Sequence, residues 1–376
     1  MIRKVNILNK KIFVTQPSLP SLDEFIPYLE KIWNNKVLTN NGEFHKKLEK
    51  ELAEYLGVEF LSLFCNGTIA LLTALQTLEI TGDVITTPYS FVATAHSIKW
   101  NNLNPVFVDI DPESFCLDPT KIEQAITEKT TAIMPVHVYG WPCNCDDIQK
   151  IADKYHLKVI YDAAHAFNVK YKNETILKHG DLSVLSFHAT KVYNTIEGGA
   201  IISHNIETKN RIDKLKNFGF AGETSVIESG INGKMNEIQA AFGLMYLKKV
   251  DSYIEKRKHI FLKYTELLFN VTGVQLKREQ PDVVYNYAYF PVQIDKDLCG
   301  KSRDEVYEYL KTKNIFCRRY FYPLITDFVM YKETFSLATA KQVADQIICL
   351  PIYPDLNLSD VEIICDTIIN FINVNL

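Results

Sequence analysis

The chain contains no apolar run approaching the roughly 18 residues a bilayer-crossing helix needs. Its opening stretch, Met1-Ile2-Arg3-Lys4-Val5-Asn6, lacks the apolar centre of a secretory leader. Both absences predict a soluble, cytoplasmic protein. An excess of one charge is also missing: 41 basic residues against 45 acidic ones leave a formal net charge of −4, and the basic residues are scattered. That excludes the electrostatic footprint of a nucleic-acid binder and the polybasic patch of a membrane-surface protein. No Gly-x-Gly-x-x-Gly follows a strand-like run, so a plain dinucleotide-binding reading has no phosphate loop to rest on. Internal repeats and low-complexity tracts are absent as well.

Cysteine clusters are scarce. Of eight cysteines, six stand singly in apolar surroundings (Cys65, Cys116, Cys299, Cys317, Cys349, Cys365) and read as small hydrophobes. Cys143 and Cys145 form a C-x-C with no second cluster to complete a ligand set, so no metal is expected.

What is present is a globular composition: 376 residues, 47% hydrophobic and 23% charged. That length suits a large domain plus a smaller one. Ser21 is placed to cap a helix carried by Leu22, Phe25, Ile26, Leu29 and Ile32, and a second helix over 44–56 stops at Gly57. Strand signals follow at 60–64, 84–87, 106–109, 132–136, 159–161, 182–187 and 200–202. Between them lie helical signals opening at Gly67 and over 91–100, 119–126 and 146–155. This alternation predicts an α/β fold with a mainly parallel sheet between helices. Beyond Gly230 the pattern changes to helices over 235–247, 250–268, 304–311 and 361–372, with an extended run over 285–292. The division is placed at 1–250 for the large domain and 251–376 for a smaller C-terminal α+β domain.

Four stretches carry chemistry. Lys191 stands in Ser186-Phe187-His188-Ala189-Thr190-Lys191, just after a buried strand and before Gly198-Gly199. A lysine near such a strand end needs a partner, which an aldehyde cofactor supplies by forming a Schiff base; a solvated loop lysine fits the same stretch. Asp162, in Tyr161-Asp162-Ala163-Ala164-His165, ends an apolar strand, where open parallel sheets face their ligands. It can pair with a protonated ring nitrogen or simply cap a helix, and His165 can bond a phenolic oxygen or satisfy a helix start. Asn66-Gly67-Thr68 opens a helix after a strand, a geometry that favours phosphate and that an ordinary strand-to-helix turn shares. Ser186 is close enough in sequence to reach the same phosphate. Phe91, in Thr87-Pro88-Tyr89-Ser90-Phe91-Val92-Ala93-Thr94, can stack on a flat ring or pack in the core.

Taken together and in this order, from Leu38-Thr39-Asn40-Asn41-Gly42 to Cys349-Leu350-Pro351-Ile352-Tyr353-Pro354, these stretches resemble the DegT/StrS family of sugar aminotransferases. The resemblance implies the fold-type I aminotransferase architecture and pyridoxal 5'-phosphate as cofactor. It implies that Lys191 carries the cofactor and moves the proton, that Asp162 and His165 face the ring nitrogen and phenolic oxygen, and that Phe91 stacks on the ring. It implies that Gly67, Thr68 and Ser186 hold the phosphate, joined by Asn232 from a neighbouring subunit, and hence a homodimer with shared active sites. In Gly230-Ile231-Asn232-Gly233-Lys234-Met235, Lys234 stands where the family usually has arginine, and it receives no role. His188 is a candidate for orienting substrate or lysine, or for a structural hydrogen bond. Arg319 or Tyr320, in a stretch that borders the family's sugar site, is expected at the substrate.

The implied reaction moves an amino group from glutamate to a dTDP-linked keto-6-deoxy sugar, a step toward deoxyamino sugars of O-antigen or lipopolysaccharide. His188 occupies a position where members acting at C4 often carry histidine and several acting at C3 carry Tyr-Pro. This favours C4 of dTDP-4-keto-6-deoxy-D-glucose, closest to members that form dTDP-4-amino-4,6-dideoxyglucose. Amination at C3 of a dTDP-3-keto-6-deoxyhexose is the alternative, and a non-catalytic ligand sensor of the same fold a further one. Dehydratases of the family replace the Schiff-base lysine with histidine, so Lys191 argues against that activity.

Overall fold

Seven short runs rich in Val, Ile and Leu build one sheet in the computed structural model, which describes residues 10–331 and 335–373. They are β1 (Phe60–Phe64), β2 (Asp83–Thr86), β3 (Asn104–Phe107), β4 (Thr130–Met134), β5 (Lys158–Asp162), β6 (Leu182–Ser186) and β7 (Gly199–Ser203). Their order across the sheet is β1-β7-β6-β5-β4-β2-β3. Strand β7 runs antiparallel to both of its neighbours, and every other pairing is parallel.

The period-2 geometry of a strand divides these side chains between two faces. Leu61, Leu63, Ile85, Ile133, Val159, Tyr161, Leu185 and Ile202 enter one core, with Leu48 and Leu52 of α2 (Glu43–Leu56) and Ala240, Ala241 and Leu244 of α7 (Glu237–Leu247). Phe64, Val84, Ala132, Met134, Ile160, Val184 and Ile201 enter the other. There they meet α3 (Gly67–Thr77) through Ala70, Leu71, Ala74 and Leu75, α4 (Ala93–Trp100) through Ile98 and α6 (Ile206–Leu215) through Ile212. Each fully buried Leu or Ile is worth about 1.5–3 kcal/mol. Burial on both faces is why these strands read as unbroken apolar runs rather than alternating ones. The result is the expected α/β fold with a mainly parallel mixed sheet between helices.

The helix α1 (Leu22–Asn35) starts at Ser21, whose side chain accepts from Asp23 N, and α2 ends at Gly57 in the left-handed region. The helix α5 (Cys145–Tyr155) follows a capping Asn144. The helix expected over 119–126 is instead two 3-10 turns, Pro119–Lys121 and Glu123–Ala125, which end where Ile126 turns extended at ψ 130. The strand expected over 106–109 ends at Phe107. Asp109 serves elsewhere, as described below.

A second core forms around three antiparallel strands, β8 (Val274–Leu276), β9 (Phe290–Ile294) and β10 (Ile347–Leu350). It is filled from α8 (Val250–Leu268), α10 (Arg303–Thr312) and α12 (Leu358–Asn373), while α9 (Lys296–Cys299) adds Cys299. Helix α8 places Val250 and Tyr253 in the first core and Ile260, Phe261, Tyr264 and Leu268 in the second. Helix α11 (Ala338–Gln346), unread in the sequence, packs Ala340, Val343 and Ala344 into the first core. The division at residue 250 stands as a proposal: the passage of α8 from one core to the other supports it, while α11 and Phe321, Leu324 and Ile325 pack with the first core. No helix among the described residues is long and apolar enough to cross a membrane.

Candidate active site

The carboxyl ends of β5 and β6, the start of α3 and the segment after β2 converge on one cavity of about 600 Å³. Nine of the eleven residues singled out in the sequence line it: Gly67, Thr68, Phe91, Asp162, His165, Ser186, His188, Lys191 and Tyr320. The other two, Asn232 and Arg319, do not.

One end of the cavity suits an anion. Asn66 caps α3 by accepting from Ile69 N at 2.9 Å, which leaves the first-turn N–H groups of Gly67 and Thr68 outside the helix's own bonding. A Cβ on Gly67 would meet Ser186 Cβ at 3.0 Å and Oγ at 3.2 Å. Glycine is what lets the helix start approach the end of β6 so closely. These donors, with the Thr68 and Ser186 hydroxyls, form a neutral cradle of the kind a phosphate ester takes.

The floor holds a carboxylate and an amine. Asp162 is 4% exposed. Burial pushes its carboxyl above the ordinary value, opposed by the Thr94 hydroxyl donating to Oδ2 at 2.7 Å, by Ala164 N donating to Oδ1 at 3.1 Å and by the charge of Lys191. Ser90 Oγ lies 2.9 Å from Thr94 Oγ1, so the segment after β2 extends the same network. Lys191 remains reachable from the cavity, while burial lowers its amine to about 8 against the opposing pull of Asp162. Its Nζ donates to Tyr289 Oη at 3.4 Å.

Rings form the walls. Phe91 is 60% exposed, lies just before α4 and turns no face to the core, so its core reading is overturned. The His165 ring lies parallel to Phe321 at 5.9 Å and tilted to Tyr289 at 4.9 Å. Burial, with Lys191 nearby, keeps its imidazole well below the ordinary histidine value. His188 sits at the rim, with Nδ1 2.8 Å from Thr190 Oγ1 and Nε2 3.7 Å from the Glu197 carboxylate.

The structure separates the two substrate candidates. Tyr320 lines the cavity, whereas the Arg319 guanidinium pairs with Asp304 at 2.8 Å, between the Tyr307 and Tyr322 rings. The same Asp304 oxygen also accepts from Arg303 at 2.7 Å, and the Arg319 side chain stays outside this chain's cavity. Asn232 is exposed and bridges Asn217 in an antiparallel pair; Lys234 Nζ donates to Asn217 Oδ1 at 2.7 Å.

Tyr289, Glu197, Thr94 and Phe321 belong to the site or its network and were missed in the sequence. Only Thr94 carried a local signal, as a hydroxyl one helical turn after Ser90. The Cys143 thiol donates to Val136 O at 3.1 Å, and both cysteines of the C-x-C are buried.

A model of the DegT/DnrJ/EryC1/StrS aminotransferase family matches residues 21–369. A Shigella dysenteriae protein named dTDP-4-amino-4,6-dideoxy-D-glucose transaminase is 54% identical, over 96% of this chain and 99% of its own length. An Escherichia coli protein of the same name is 56% identical, over 93% of this chain and 95% of its own. Among solved structures, DesI in the presence of its TDP-sugar product superposes with a TM-score of 0.95 at 30% identity, covering 98% of this chain and 95% of that one.

Proposed function

Because the chain belongs to the DegT/DnrJ/EryC1/StrS aminotransferase family, we propose that it is a cytoplasmic enzyme that moves an amino group from glutamate to C4 of dTDP-4-keto-6-deoxy-D-glucose, using pyridoxal 5'-phosphate. The observation that carries this reading is the likeness, along almost the whole chain, to two transaminases named for the C4 amino sugar.

The residues present fit the cofactor. The start of α3 with Ser186 would hold its phosphate, Asp162 its ring nitrogen, His165 its phenolic oxygen, Phe91 one ring face and Lys191 its aldehyde carbon. When bound, pyridoxal phosphate supplies the electron sink that lets a proton leave the carbon bearing the amine. The chain supplies the rest. An amine lowered to about 8 is deprotonated in a usable fraction near neutral pH, so Lys191 Nζ can accept a proton from the amine-bearing carbon of the donor and, in the second half of the cycle, deliver one to the sugar carbon that receives the amine. Tyr289 Oη, accepting from Nζ, orients the amine. An ionised Asp162 keeps a ring nitrogen protonated, and the Thr94 and Ala164 donors favour that ionised form against its burial. His188 and Tyr320, on the outer part of the cavity, are proposed to face the sugar.

The proposal includes a homodimer. Asn232, exposed and outside its own chain's cavity, would enter the partner's site at the phosphate. The surface around it carries Phe218, Phe220, Val226, Ile227 and Ile231, all exposed. An apolar face of that kind is the usual mark of a contact surface.

The test incubates the loaded protein and glutamate with 4-keto and 3-keto dTDP-6-deoxy sugars and locates the new amine by NMR. An amine at C4, formed from the 4-keto sugar, is expected. Product from the 3-keto sugar alone would move the reading to C3.

A further inference from the structure

Tyr139 touches both walls of the cavity without lining it. It is buried and sits in the left-handed region at φ 58, ψ 9. A bulky L-residue holds that conformation only where its surroundings over-determine it. Two sets of contacts do so here.

The first is on the main chain. Tyr139 N–H donates to His165 Nδ1 at 3.1 Å. A neutral imidazole carries one proton, and a ring whose Nδ1 accepts must carry it on Nε2. Burial keeps His165 neutral. The ring therefore presents an N–H donor at Nε2 and no charge.

The second is on the side chain. Tyr89 Oη donates to the Tyr320 carbonyl oxygen at 2.9 Å, Tyr139 Oη donates to the same oxygen, and the two phenol oxygens lie 2.6 Å apart. Two hydroxyl protons thus serve three contacts, and the two phenols and the carbonyl form one hydrogen-bonded cluster. Both phenols are buried, and burial pushes both well above the ordinary tyrosine value, so they stay protonated and able to donate. The Tyr139 ring also lies parallel to Phe321 at 6.1 Å and 5.4 Å from Tyr289. Tyr89 directly precedes Ser90 and Phe91, so the phenol pair ties the segment after β2 to the Tyr320–Phe321 wall.

We propose that Tyr139 is a positioning residue joining the cofactor side of the site to its substrate side. Its main-chain N–H sets His165 as the Nε2–H tautomer, and its phenol, with that of Tyr89, fixes the Tyr320 main chain where the sugar is received. This rests on the reading of the cavity as a site for pyridoxal phosphate and a nucleotide sugar.

Tyr139→Phe keeps the ring and the main-chain N–H and removes only the hydroxyl; Tyr89→Phe does the same for its partner. For Tyr139→Phe, pyridoxal phosphate affinity, read by absorbance titration, is expected within about twofold of wild type. KM for the keto-sugar is expected to rise about fivefold or more, with kcat changing less than KM. Tyr89→Phe is expected to move KM in the same direction. A lower thermal midpoint with KM unmoved would show a purely structural hydroxyl and overturn the substrate-side half, and so would a loss of cofactor affinity as large as the rise in KM.

The tautomer is read separately, by solid-state 15N NMR of cofactor-free, histidine-labelled protein, with His165→Gln to assign the signal. Wild type and Tyr139→Phe are both expected to show pyridine-type Nδ1 and pyrrole-type Nε2 at His165. The reverse tautomer in either would overturn that half. This arm uses neither cofactor nor sugar, so its failure leaves the functional reading intact. Wild-type protein that takes up no pyridoxal phosphate would overturn the functional reading and the coupling together.

Discussion

The Thr94 hydroxyl donates a 2.7 Å hydrogen bond to Asp162 Oδ2, so a residue on α4 favours the ionised form of a buried carboxylate at the end of β5. A hydrogen bond to a buried charge is worth about 1.5–3 kcal/mol. Thr94→Val keeps the shape and removes the donor. It should raise the Asp162 carboxyl further and weaken pyridoxal phosphate binding about tenfold or more, measured by absorbance titration. Unchanged affinity would mean that Asp162 does not meet the ring nitrogen.

Lys191 gives a pH dependence. Its neutral amine is the reactive form, and burial lowers it to about 8. Below that value the neutral fraction falls tenfold per pH unit. The rate at which cofactor-free protein takes up pyridoxal phosphate should therefore rise with pH to a plateau above about 8, rather than continue to climb toward the ordinary lysine value of 10.5. Stopped-flow absorbance across pH 6–10 measures it.

Asp109, which does not line the cavity, supplies a stability prediction. Its carboxylate accepts from Thr339 N and Ala340 N at the start of α11, from Ile110 N and from Lys121 Nζ. Burial raises its carboxyl, but those donors outweigh burial and hold it below the usual range. A depressed carboxyl contributes stability that is present above its unfolded value and lost as pH falls through the folded one, here below 3.8. Asp109→Ala should cost about 2 kcal/mol near neutral pH, and the difference from wild type should shrink in acid. Urea unfolding at pH 7 and pH 3 measures both.

The shared-site proposal predicts complementation. Mixing Lys191→Ala and Asn232→Asp chains at equal amounts, then letting them exchange, should give mixed dimers with one intact site each. About a quarter of wild-type activity should return, since half the dimers are mixed. No recovery, with exchange confirmed by mass, would place Asn232 outside the partner's site.

The parts of this site that could be read from the sequence are those that a single strand end or helix start delivers. Asp162, Ser186 and Gly67 each sit where an apolar run stops, and His165 and Lys191 follow within a few residues. The sheet then brings those ends together, because parallel strands share one ligand-facing edge. The rest depends on approach between distant segments. Tyr289 meets Lys191 across 98 positions, and Tyr139 meets the Tyr320 carbonyl across 181. No local pattern marks such pairs. Arg319 depends on the same kind of contact: its neighbour Tyr320 lines the cavity, while its own guanidinium meets Asp304, fifteen positions earlier, outside it. Phe91 was ambiguous because an aromatic at helical spacing reads as core, and only the start of α4 two residues later frees its ring.

The most direct test of the account is covalent. The protein is loaded with pyridoxal phosphate, reduced with borohydride, digested and mapped by mass spectrometry. The added phosphopyridoxyl mass should sit on the peptide containing Lys191, and Lys191→Ala should carry none. The same mass on a different lysine, with Lys191 unmodified, would contradict the assignment from which the rest of the chemistry is built.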